Sequence, residues 1–190
     1  MSEGHFHVHG PHDHEVEHAA HGGDTLAGRI AVMTAIFATI GALFGYMAGA
    51  TQNEALLFKN EAAIKTLEAS DQWNFYQAKS SKQNLAELGA TLTSGETQAK
   101  YRQEIERYKK EKDEIMAEAK KLEEAGKEAG ARSAASMHVH HRWAQAMMLI
   151  QIAIALAAIT ILTRNMAMGV GAIGVGAGSI VLGALACAHI

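Results

Sequence analysis

Proline occurs once in these 190 residues, at Pro11, and cysteine once, at Cys187. Everything after Pro11 is therefore free of the strongest helix breaker, and a lone thiol excludes an internal disulfide. Aromatic residues are sparse as well, at 6%. The most informative absence is that of charge. No Asp, Glu, Lys, Arg or His falls between Ile30 and Gly49 or between Trp143 and Thr163, and Met166 to Ala188 is equally clean after the short interruption Arg164-Asn165. A membrane span needs about 20 predominantly apolar residues, and all three stretches qualify.

Ion-coupled transporters rely on buried ionisable groups or interrupted helices at mid-bilayer, and none of the three stretches supplies an Asp, Glu, Lys, Arg or His. The polar side chains singled out there are Thr34, Thr39, Gln145, Gln151 and Thr160. Gln145 and Gln151 are six residues apart and point to different helix faces, so they do not indicate a polar pore lining.

What is present lies mostly between the apolar stretches. All 17 Lys and Arg except Arg29 and Arg164, and all 20 acids except Glu3, Asp13, Glu15, Glu17 and Asp24, fall in residues 51–142. That middle is charge-balanced and offers no net field to attract nucleic acid or an anionic membrane surface. Ala55, Ala62, Ala69 and Tyr76 recur every seven residues, which predicts a helix-packing seam, with Leu56, Ile64, Leu67, Trp73, Leu85 and Leu88 filling nearby positions. The sequence Thr93-Ser94-Gly95-Glu96 predicts a turn: Gly95 breaks the helix, and Thr93 with Glu96 has capping-box spacing for the next. The return arm, from about Thr97 to Arg142, is rich in Glu, Lys and Ala, with Tyr101, Ile105, Tyr108, Ile115, Met116 and Leu122 as its apolar positions. Gly126 and Gly130, each costing about 1 kcal/mol of helix propensity, predict a kink or hinge. The arm from Thr51 to Leu92 would run roughly 60 Å at 1.5 Å per residue. Two such arms lack a closed core, so packing against other subunits is expected.

The predicted organisation is all-α: residues 1–24 a His-rich flexible tail, 25–50 the first transmembrane helix, 51–142 an extramembrane helical hairpin with its turn near 93–96, and 143–163 and 166–188 the second and third transmembrane helices. Asp24 or Thr25 is placed to cap the first. Gly41, Gly45 and Gly49 fall on one face of the first span, and Gly174 and Gly178 repeat the spacing in the third, among Gly169, Gly171, Gly176 and Gly183. Such faces let helices approach closely, either inside one subunit or between subunits.

Histidine is the strongest chemical signal. His5, His7, His9, His12, His14, His18 and His21 crowd the tail, and imidazole suits Zn, Ni, Cu and Co. Divalent-metal binding stands beside the plainer reading of a solvated tail without a dedicated role. Within it, His14-Glu15-Val16-Glu17-His18 matches HExxH, but the segment has no apolar face and no third ligand, so the match is attributed to local His and Glu density. Nothing here reads as an enzyme active site, and no small-molecule substrate is indicated. A second cluster, His138, His140 and His141, leads into Arg142 and Trp143. It is expected to form an interface belt among lipid headgroups. Residues 69–80 pack Trp73, Phe75 and Tyr76 with many hydrogen-bonding groups into three turns. Trp73 and Tyr76 are expected to set register or oligomer state.

Asn53-Glu54-Ala55, Lys59-Asn60-Glu61-Ala62, the run from Ala69 to Ser80, Lys82 and His140-His141-Arg142, with the His-rich start, resemble the bacterial membrane family known as domain of unknown function 4337. The resemblance covers nearly the whole chain and implies a multi-pass inner-membrane protein with this span arrangement. It lends no activity, substrate or catalytic residue. The family's connection between the last two spans is more basic than here, where Arg164 stands alone. Arg29 and Arg164 favour a cytoplasmic tail and a periplasmic hairpin, against Lys59, Arg132 and Arg142. The functional expectation is a homo-oligomeric scaffold, with metal handling by the tail as the alternative.

Overall fold

The computed structural model describes residues 25–188, and these form three helices: α1 (Thr25–Leu92), α2 (Gly95–Thr163) and α3 (Met166–Cys187). No strand occurs among the described residues. Each helix contains a stretch long and apolar enough to cross a membrane, by length and composition. The metal-ligand set expected of His5 to His21, the HExxH match and the Asp24 cap lie outside the described residues.

The two breaks have local causes. Between α1 and α2 only Thr93 and Ser94 are non-helical, and Gly95 adopts φ +65, a left-handed conformation that glycine takes without Cβ strain. The expected capping box is not what forms. Thr93 Oγ1 donates backwards to the Gly89 carbonyl at 2.7 Å, closing the end of α1, and Gln98 Nε2 donates to the Ala90 carbonyl at 2.8 Å. A helix C-terminus leaves four carbonyls without partners, and these two bonds satisfy two of them. Between α2 and α3, Arg164 takes φ 51 and the Asn165 side chain caps α3 by accepting from the Ala167 N–H at 3.0 Å.

Neither Gly126 nor Gly130 interrupts α2. The expected loosening fails at Gly126 because a neighbouring helix occupies the space beside it: a Cβ there would lie 3.4 Å from Thr66 Oγ1 and 3.5 Å from the Ala62 carbonyl oxygen. Close approach of two backbones, not flexibility, is what this glycine serves.

The chain divides into two compact units, an apolar bundle built from 25–52 and 137–188, and a hairpin, Asn53–Ser136. The bundle packs parts of all three helices. Ile30, Phe37 and Phe44 on α1 are buried at seven-residue intervals, as are Trp143, Ile150 and Ala157 on α2. One core gathers Phe37, Phe44, Trp143, Ala146 and Ile150 with Ala186 of α3, and a smaller one gathers Ile30, Ala157 and Ala172.

The hairpin pairs the remaining lengths of α1 and α2 along a seam of small residues. Ala55, Ala69, Ala86, Ala119 and Ala129 are buried, and Ala62 and Tyr76 are half-buried on the same face. The six apolar positions expected on the return arm, from Tyr101 to Leu122, are all half-buried. The leucines of α1 behave differently. Leu56, Leu57, Ile64, Leu67, Leu85 and Leu88 are all exposed, so they do not fill the seam. These side chains lie on a different face of α1 from the seam alanines, whereas the large side chains that do face the other arm, Tyr76 and Tyr108 among them, are half-buried.

Candidate functional site

The features singled out in the sequence fall into a glycine face, an aromatic and ionic cluster, and a histidine cluster. In the bundle, a Cβ at Gly41 would lie 3.0 Å from Ile150 Cγ2 and one at Gly45 would lie 3.4 Å from Met147 Sδ, so both glycines receive α2. Gly49, Gly174 and Gly178 have nothing within 4 Å. The α1–α3 contact uses other glycines. Gly176 lies against the Phe37 ring, and a Cβ at Gly183 would lie 2.6 Å from Phe44 Cζ. Phe37 and Phe44 are seven residues apart, as are Gly176 and Gly183, so two rings of one helix enter two notches of the other. That match was visible in the sequence as a shared spacing, but only facing helices show which glycines meet which rings.

Trp143 departs from its expected place among headgroups. It is 6% exposed and its ring centroid lies 5.5 Å from that of Phe44, inside the bundle core. A seven-residue step from Ile150 and Ala157 puts it on the buried face of α2, and that placement overrides its position at the end of an apolar stretch. Ser179, not among the polar side chains singled out above, is fully buried and donates to the Ala146 carbonyl at 2.7 Å, linking α3 to α2. Thr160, also fully buried, donates within its own helix to the Leu156 carbonyl. In an apolar setting each such hydroxyl must find an acceptor.

His140 is half-buried and its Nδ1 donates to the Ala48 carbonyl at 2.8 Å. The carbonyl can only accept, so the proton sits on Nδ1. His141 stacks at a tilt beside it, with centroids 5.5 Å apart, and His138 is exposed. Among the described residues, no group of three or more His, Cys, Asp or Glu side chains is arranged to hold a metal ion.

In the hairpin, Ser133 Oγ donates to the Ala55 carbonyl at 2.8 Å, one heptad from the place where Gly126 meets the Ala62 carbonyl. Small α2 residues thus reach α1 carbonyls directly, and this fixes the register of the two arms. Farther along, the run 69–80 is split by the seam. Gln72, Tyr76 and Lys79 face it, half-buried. Lys79 bonds Glu111 and lies 5.7 Å from the Tyr108 ring centroid, while Lys112 lies 5.0 Å from the Tyr76 ring and donates to Gln83 Oε1 at 3.1 Å. Each cation sits over a tyrosine of the opposite arm, an arrangement worth about 0.5–1 kcal/mol at exposed sites. The Lys79 ammonium, hydrogen-bonded to Glu111, holds that carboxyl below the ordinary carboxylate range, and Glu68 likewise raises the Lys65 ammonium.

Trp73 lies on the neighbouring face, where its Nε1 donates to Glu123 Oε1 at 2.8 Å and its ring meets Tyr76 edge-on at 5.6 Å. It borders an open groove of about 630 Å³ lined by Thr66, Ser70, Trp73, Gln77, Glu123 and Lys127 among others. Trp73 and Tyr76 therefore both bridge the two arms, one on the flank and one in the seam.

Neither a curated protein nor a solved structure matches the chain. The family model of a domain of unknown function, DUF4337, matches residues 26–189, from the second residue of α1 to beyond the end of α3, and the chain belongs to that family.

Proposed function

We propose that the protein is a non-enzymatic, homo-oligomeric scaffold of the bacterial inner membrane, crossing it three times. In this reading the tail lies in the cytoplasm, and the hairpin lies in the periplasm as a coiled-coil assembly arm. One observation carries it. The hairpin buries only small residues along its seam while α1 leaves Leu56, Leu57, Ile64, Leu67, Leu85, Leu88 and Leu92 outside. A water-facing helix with this much unpaired apolar surface needs a partner, because such patches mark interaction sites. Gly49, Gly174 and Gly178, open on the bundle, offer further places for helices of neighbouring subunits.

Native mass spectrometry of untagged protein in mild detergent tests this, since it counts subunits and weighs bound metal together. A defined oligomer without metal supports the scaffold. Stoichiometric Zn, Ni, Cu or Co that disappears on deleting residues 1–24 favours metal handling by His5 to His21 instead. A metal-free monomer refutes both. Gly41 and Gly45 are poor probes of subunit number, because they already receive Ile150 and Met147 of the same chain. Gly174→Leu and Gly178→Leu are the informative changes.

A further inference from the structure

The exposed side chains of α1 in the hairpin follow their own repeat. Leu57, Ile64, Leu85 and Leu92 lie on one seven-residue series with Asp71 and Ala78, and Leu67 and Leu88 lie on a second with Asn60, Asn74 and Ser81. Ile64 is 53% exposed, Leu67 67%, Leu85 67% and Leu88 55%. Together the two series form a coiled-coil stripe on the side of α1 that α2 does not cover. It has two apolar ends and a polar centre at Asp71 and Asn74. A flanking series carries Glu61 and Glu68 beside the first end, Phe75 at the centre, 58% exposed, and Lys82 beside the second.

Resting on the scaffold reading, we infer that this stripe is the contact with a second copy of the chain, packed antiparallel about a two-fold axis near Tyr76. Three features select this occupant. Among the described residues, the α2 arm of the hairpin exposes no large apolar side chain, so the only apolar face a second copy can offer is the same one, which makes the contact isologous. The antiparallel alignment sets Ile64 opposite Leu88 and Leu67 opposite Leu85, with Phe75 meeting Phe75 across the axis. It also sets Glu68 beside Lys82 of the second copy, twice by symmetry, and gives Asp71 the hydroxyl of Ser81. A parallel alignment would stack Asp71 on Asp71 and leave Glu68 and Lys82 without each other. A lipid surface is a poorer occupant, because Asp71 and Asn74 interrupt the stripe and Glu61 and Glu68 would face anionic headgroups.

Cysteine cross-linking of the full chain in mild detergent tests the contact. Cys187→Ala removes the native thiol, and Leu67→Cys and Leu85→Cys are then introduced on separate chains. Both leucines lie outside the hairpin seam, and unchanged far-UV circular dichroism checks that the fold is kept. A disulfide-linked dimer is expected when the two variants are mixed and from neither alone. Phe75→Cys should link to itself. Lys82→Glu should weaken self-association about tenfold, and Glu68→Lys added to it should restore most of the loss. A disulfide formed by Leu67→Cys alone overturns the antiparallel contact. So does a defined oligomer, counted by native mass, in which the mixed pair never links, and that result leaves the scaffold reading standing. A monomer overturns both.

Discussion

The bundle and the hairpin share α1 and α2 but differ in what they bury. In the bundle large meets absent: Phe37 enters at Gly176 and Phe44 at Gly183, with Trp143 and Ile150 buried beside them. In the hairpin the buried residues are small, Ala55, Ala69, Ala119 and Ala129 among them; near the turn the Tyr101 ring lies against Gly89, and the leucines of α1 with Ile64 are left outside. In the proposed membrane setting the surroundings are as apolar as the core, burial itself gives little, and shape complementarity and close backbone approach hold helices together. In a charged, solvated hairpin a thin alanine seam buries little area, so register falls to hydrogen bonds such as Ser133 to Ala55 and to cations over tyrosines. The exposed stripe is left for another surface.

The largest effect that would break this comparison is expected from filling a notch. Gly183→Leu puts a side chain where a Cβ alone would come within 2.6 Å of Phe44, and Gly176→Leu does the same at Phe37. Thermal loss of helicity in detergent should shift by about 3 kcal/mol or more. Gly174→Leu and Gly178→Leu, which meet nothing within 4 Å, should leave the monomer's stability unchanged. Equal losses from all four would mean that the notches are not what holds α3.

A smaller effect is expected in the hairpin. Ala55→Leu, at a fully buried seam position beside the Ser133 bond, should force the arms apart and cost about 1–3 kcal/mol, whereas Leu57→Ala, 69% exposed, should stay within about 0.5 kcal/mol in the monomer. If the leucine change costs more than the alanine change in urea titrations of dilute protein, the seam has been assigned to the wrong face.

Gly126→Ala sharpens the contrast between the units. Its Cβ would make contacts of 3.4–3.5 Å, close to ordinary van der Waals distance, while removing glycine's helix penalty of about 1 kcal/mol. A modest rise in the hairpin's unfolding midpoint is expected, opposite in sign to the effect at Gly183. A fall of the size seen there would show that the hairpin seam is packed as tightly as the bundle.

The smallest effect concerns pH. The Glu111 carboxyl is held below its ordinary range by the hydrogen bond from Lys79, so its folded pKa is depressed. The stability it contributes is present above the ordinary carboxylate range and is lost as pH falls through that range to the depressed value. Glu111→Gln should flatten the acid limb of a helicity-against-pH curve and leave the neutral plateau almost unchanged. An acid limb identical to that of the parent chain would remove this pair from the account.

Much of this architecture follows from local chemistry. Three uncharged stretches, a chain without proline after Pro11, and Gly95 at a turn suffice for three long apolar helices and a hairpin, because helix propensity and apolar length are properties of neighbouring residues. The seven-residue recurrence of Ala55, Ala62, Ala69 and Tyr76 likewise pointed to the seam, since periodicity on one helix is set by that helix alone. Other features depend on a second helix. Gly176 and Gly183 could not be told from Gly174 and Gly178 until Phe37 and Phe44 stood opposite them. Trp143 and Ser179 were drawn into the core by facing helices. Gly126, read locally as a weak point, proved to be a place of closest approach. Sequence determines which residues share a face, because that follows from the turn of the helix. Tertiary structure alone decides which face meets which neighbour, and so which small residue is a notch, which is open, and which leucines are left outside.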